Sequence, residues 1–134
     1  CWNPPQTYRN PLLWMLPVAY AWIPITFVLR ALSQFSLVPH AVATHALTIG
    51  AMSSLMVAMM ARSALGHTGR PLKAGPVEMI AFIGLQVAAF VRILAALVLP
   101  GQYINAMVIV AAIWFLAFSV FLFRYVPILT SARL

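Results

Sequence analysis

Three histidines, a single carboxylate and eight Lys/Arg hold most of the reactive chemistry in this 134-residue chain. Their placement is uneven. Residues 41–61 form an apolar run whose only ionisable side chain is His45. At about 1.5 Å rise per residue, that run is long enough as a helix to cross a bilayer core of roughly 30 Å. An imidazole in hydrocarbon is expensive without a partner, so His45 marks a site. It is either a metal ligand or a histidine hydrogen-bonded across helices.

A second histidine, His67, follows in the string Gly66-His-Thr-Gly-Arg-Pro-Leu-Lys73. It stands about 33 Å from His45 along one helix, so the two cannot share a metal. The string packs two glycines, a histidine and two cations into one turn. It reads either as a structural turn or as a functional loop in which His67 and Arg70 join a hydrogen-bonded network. Glu78 lies in the first turn of the next apolar run, where the helix dipole favours a carboxylate, and Arg70 or Lys73 are candidate partners. Arg30 and Arg92 fall in the same layer as His45, with His45 roughly 7–8 Å deep and Arg92 roughly 10 Å deep. Imidazole for iron and guanidinium for propionates suit a haem. The alternative is that both arginines snorkel to the interface. His40 precedes the run and reads as a helix-start residue. No catalytic constellation is identifiable.

Composition fixes the class. Apolar residues make up 64% and charged residues 7%, and the mean hydropathy is +1.00, which excludes an ordinary soluble domain. The net charge of +7 does not indicate nucleic acid, because the basic residues punctuate the ends of apolar runs and form no basic face. Cys1 is the only cysteine. An internal disulfide and covalent c-type haem attachment are therefore both excluded.

Four apolar runs position these groups, at about 11–32, 40–62, 76–99 and 103–126. They lack the alternation of barrel strands, so the expected fold is all-α: four transmembrane helices with short loops, in one domain over residues 1–134. The first residue is not Met, and the chain reads as part of a longer protein and a larger helical bundle. Arg9, Arg62, Arg70, Lys73, Arg124 and Arg133 fall on one side, against Arg30 and Arg92 on the other, which places both termini in the cytoplasm. Trp2, Tyr8, Trp14, Tyr103 and Tyr125 read as interface residues, and Trp22 and Trp114 as packing residues. Within the second run Ala46, Gly50, Ser54 and Ala58 recur every fourth position, a small-residue ridge that lets another helix approach closely. His45, Met52, Met56 and Met59 share a neighbouring face. The methionines read as adaptable core filler or as soft ligands for Cu(I).

Several strings also resemble those of the NnrS family: His45-Ala-Leu-Thr-Ile-Gly-Ala-Met, Met60-Ala-Arg62 and Leu65-Gly-His-Thr-Gly-Arg-Pro-Leu72. Pro11-Leu-Leu-Trp14, Tyr20-Ala-Trp22 and Phe123-Arg-Tyr-Val-Pro-Ile128 add to the likeness. The resemblance implies a bacterial inner-membrane protein that binds b-type haem and copper and takes part in the response to nitric oxide. It implies that this chain is the C-terminal third, beside N-terminal helices of the same protein. His45 would be the metal ligand, with Arg92, Arg30, His67 and Arg70 toward the cofactor. The expected partners are the lipid bilayer and nitric oxide or a related small molecule. The rival class is a transporter or channel fragment without a redox cofactor.

Overall fold

The computed structural model describes residues 10–98 and 100–131. Four helices are long and apolar enough to cross a membrane: α1 (Pro11–Gln34), α2 (His40–His67), α3 (Pro76–Val98) and α4 (Tyr103–Thr130). Among the described residues there is no strand. The all-α, four-helix expectation holds, with α2 and α4 running several residues past their expected ends. The expectations placed on Cys1, Trp2, Tyr8, Arg9, Leu99 and Arg133 lie outside the described residues.

Local sequence explains the start of α1 and its break. The Asn10 side chain accepts from the Leu12 amide at 3.2 Å, and Pro11 opens the helix where a missing N–H does no harm. The same side chain donates to the Leu72 carbonyl at 2.9 Å and so ties α1 to the turn after α2. A turn at Ala21 interrupts α1 between Pro11–Tyr20 and Trp22–Gln34. Pro24 explains the break, because it has no N–H to return to the Tyr20 carbonyl.

Helix α2 stops at glycine, not at its first charge. Gly69 takes φ 74°, the Arg70 amide donates to Leu65 O at 2.9 Å and the Gly69 amide to Gly66 O at 3.3 Å. That is a Schellman cap, and Pro71 follows where a helix could not continue. Thr68 closes a further carbonyl by donating to Ala64 O at 2.7 Å.

Helix α2 is the centre of the bundle and touches the other three. Half of its apolar window is buried, against 17% for α4. Ala46, Gly50, Ser54 and Ala58 are all buried, so the small-residue ridge is the packing face. Three apolar layers stack along it. Leu12, Val57, Leu85 and Phe121 lie in one layer, Met15, Ala58 and Phe82 in the next, and Trp22, Ala46, Ala51 and Ala89 in the third. The methionine face behaves differently from core filler in these four helices: Met52, Met56 and Met59 are each about half exposed.

Candidate functional site

The central polar contact joins α2 to α3. Arg92 Nη2 lies 2.8 Å from His45 Nε2. A guanidinium only donates, so Nε2 accepts and the ring proton sits on Nδ1. Arg92 is buried at 6% exposure, and its guanidinium carbon stands 4.8 Å over the Tyr103 ring. The charge is thus balanced by an imidazole lone pair and an aromatic face, both weaker than a carboxylate. No carboxylate side chain reaches it, because the chain has only Glu78, which is held elsewhere.

The backbone beside this pair is unusual. His45 closes a short α-helical segment, His40–His45, and the next stretch, Ala46–Ser53, is π-helical. Such winding is rare and is concentrated at functional sites. Here it is locked from both sides. Trp22 from α1 packs on Gly50 and donates from Nε1 to Gln86 Oε1 at 2.7 Å. Gln86 in turn donates to Ser54 Oγ at 2.7 Å. Trp114 from α4 donates to Ser53 Oγ at 3.1 Å, and Ser53 returns to Thr48 O at 3.0 Å. Sequence reasoning placed both tryptophans as packing residues and missed their donor role. Gln86 was the available signal: an amide in the middle of an apolar helix needs partners.

Of the other expected site residues, Arg30 stays on the α1–α2 side. It is exposed and lines a cavity of about 260 Å³ with Thr26, Phe27, Ala43, Thr44 and Leu47. Arg30 thus lies beside the Ala43–Leu47 stretch that contains His45, on the α1 side, whereas Arg92 reaches His45 from α3. His40 Nδ1 lies 3.0 Å from Ser33 Oγ, in keeping with a helix-start residue. Among the described residues no three His, Cys, Asp or Glu side chains converge as a metal site would require.

At the other end of α2, the polar string divides by role. Thr68 and Gly69 cap the helix. Arg70 donates to Ile128 O at 3.2 Å and to Ser131 Oγ at 2.8 Å, pinning the turn to the end of α4. His67 is exposed and makes no side-chain hydrogen bond among the described residues. Glu78 pairs with neither Arg70 nor Lys73. Its Oε1 accepts from Tyr125 at 2.7 Å and its Oε2 from the Gly75 amide at 2.7 Å. The second bond is half of a capping box, in which the third helical residue reaches back to the cap. Gly75 permits this approach, since a Cβ there would stand 3.0 Å from Oε2.

Comparison with known proteins adds one result. Neither a curated protein nor a solved structure gives a match. The family model described as NnrS protein matches residues 1–133. With four membrane-length helices and a match across almost its whole length, the chain belongs to the NnrS family.

Proposed function

We propose that this chain is the part of a haem- and copper-binding membrane protein that supplies one haem ligand, His45, in a bacterial response to nitric oxide. The family resemblance supports the cofactors. The observation that carries the residue assignment is the His45–Arg92 contact at 2.8 Å, inside two membrane-length helices and beside a π-helical stretch.

The donor chemistry at His45 fits a haem: its imidazole would hold the iron. Nε2 of His45 carries the lone pair that iron needs, and Arg92 now occupies it. With haem bound, His45 would hold the iron and Arg92 would hold a propionate carboxylate, a stronger acceptor than imidazole. Haem iron, when bound, supplies a coordination position for nitric oxide. The chain's own contribution is to hold His45 at fixed depth, through the Trp22–Gly50 contact and the Gln86 relay. A second iron ligand and the copper ligands are not assigned to these residues. His67 and Arg70 act at the opposite end, as a helix terminus and its tether.

The same reading places the protein in the bacterial inner membrane with both termini cytoplasmic, since most basic residues gather at one end of the bundle. An absorption spectrum of purified full-length protein, together with iron and copper analysis, tests it. A Soret band with stoichiometric iron is expected; protein lacking both would refute the haem assignment.

A further inference from the structure

The basic end of α2 carries a groove that takes no part in the haem assignment. Met59, Arg62, Ser63, Gly66 and His67 form its floor and Leu72 from the following turn forms one wall; it is open to the outside and offers about 370 Å³. Helical spacing brings these residues together, since positions three and four apart share a face. Gly66 stands one turn past Arg62 and leaves the space open: a Cβ there would meet only Leu72 Cδ2, at 3.9 Å. Arg62, Ser63 and His67 are all exposed and, among the described residues, none of them makes a side-chain hydrogen bond. The chain cannot neutralise Arg62 with a side chain of its own, because its single acid, Glu78, is 2% exposed and already bound to Tyr125 and Gly75.

From the groove toward the middle of α2, the exposed face continues as Met59, Met56 and Met52. The surface therefore has a donor-rich, cationic head and a flexible apolar track. Guanidinium and hydroxyl donors suit the oxygens of a phosphoryl group. Thioether side chains adapt to an irregular hydrocarbon. The groove also sits at the last turn of a membrane-length helix, the level of lipid headgroups.

We propose that this groove binds a membrane phospholipid, with the headgroup phosphate between Arg62, Ser63 and His67 and an acyl chain along Met59, Met56 and Met52. Free phosphate shares the headgroup chemistry but has no use for the methionine track. The site needs no haem, so it stands or falls separately from the function proposed above.

Native mass spectrometry of the full-length protein, titrated with phosphatidylglycerol in detergent, reads the occupancy directly. Wild type should retain the lipid, and millimolar inorganic phosphate should not displace it. Arg62→Gln should weaken retention about tenfold, the effect of losing one charge-assisted contact. Gly66→Leu should do the same by filling the groove, and it keeps the test valid if Arg62→Gln fails to fold. Arg124→Gln, on exposed α4 surface, should retain lipid as wild type does. Wild-type retention in both groove variants, no retention by wild type, or displacement by phosphate would each overturn the assignment.

Discussion

Gly50 lies directly beneath the indole of Trp22: a Cβ at position 50 would stand 2.5 Å from Trp22 Cδ2. Both residues are buried, and the contact falls in the π-helical stretch that follows His45. Gly50→Ala must therefore push α1 from α2 or displace the indole from Gln86, at a cost of about 1–3 kcal/mol. Gly84→Ala makes a fair control, since its Cβ would meet Ala117 at an ordinary 3.6 Å. Thermal melting in detergent should show a lowered midpoint for Gly50→Ala and little change for Gly84→Ala. Equal midpoints would contradict the close packing.

The Trp22–Gln86–Ser54 relay links α1, α3 and α2 through two bonds of 2.7 Å. Interhelical hydrogen bonds in membranes contribute roughly 0.6 kcal/mol on average and up to about 1.7. Trp22→Phe and Gln86→Leu should each destabilise, and their effects should not add in the double variant. Strict additivity in a double-mutant cycle would show that the relay is not formed.

Helix number and the packing ridge were legible in the sequence because lipid imposes simple rules on length, apolarity and small-residue spacing. Ala46, Gly50, Ser54 and Ala58 were identified as a ridge and all four are buried. The convergence of His45 and Arg92 was legible only as a shared layer, since depth fixes height along the bundle but not which faces meet. The π-helical turn was not legible: it depends on Trp22, Trp114 and Gln86, which lie far away in the chain. The turn after α2 was legible in part: Arg70 does tie it to the end of α4. Its unusual polarity suggested function, yet Thr68 and Gly69 are accounted for by helix termination, and the Gly69–Pro71 pattern was the available sign. For Glu78 the first-turn position was legible and Arg70 or Lys73 were candidate partners, whereas the burial that governs its actual partners emerges only in three dimensions.

The buried carboxylate gives a contrast between variants. Tyr125→Phe removes a donor from Glu78 and should destabilise by about 1–3 kcal/mol, the usual effect of stranding a buried acceptor. Lys73→Ala touches no partner of Glu78 and should stay within about 0.5 kcal/mol. Denaturation of the two variants under one set of conditions separates them. A larger loss for Lys73→Ala would restore the ion pair that the sequence first suggested.

Membrane orientation is open to a direct check. With Arg62, Arg70, Lys73 and Arg124 gathered at one end of the bundle, a reporter fused after Leu134 should be active only in the cytoplasm. Activity only on the far side would reverse the orientation.

The His45–Arg92 contact leads to the decisive experiment, the absorption spectrum of full-length protein carrying His45→Ala beside one carrying His40→Ala. His40 is bound to Ser33 near the helix start, whereas His45 presents its Nε2 to α3. His45→Ala should abolish or shift the Soret band, and His40→Ala should leave it as in wild type. An unchanged band with normal haem content in the His45→Ala protein would contradict the assignment of this residue as a haem ligand.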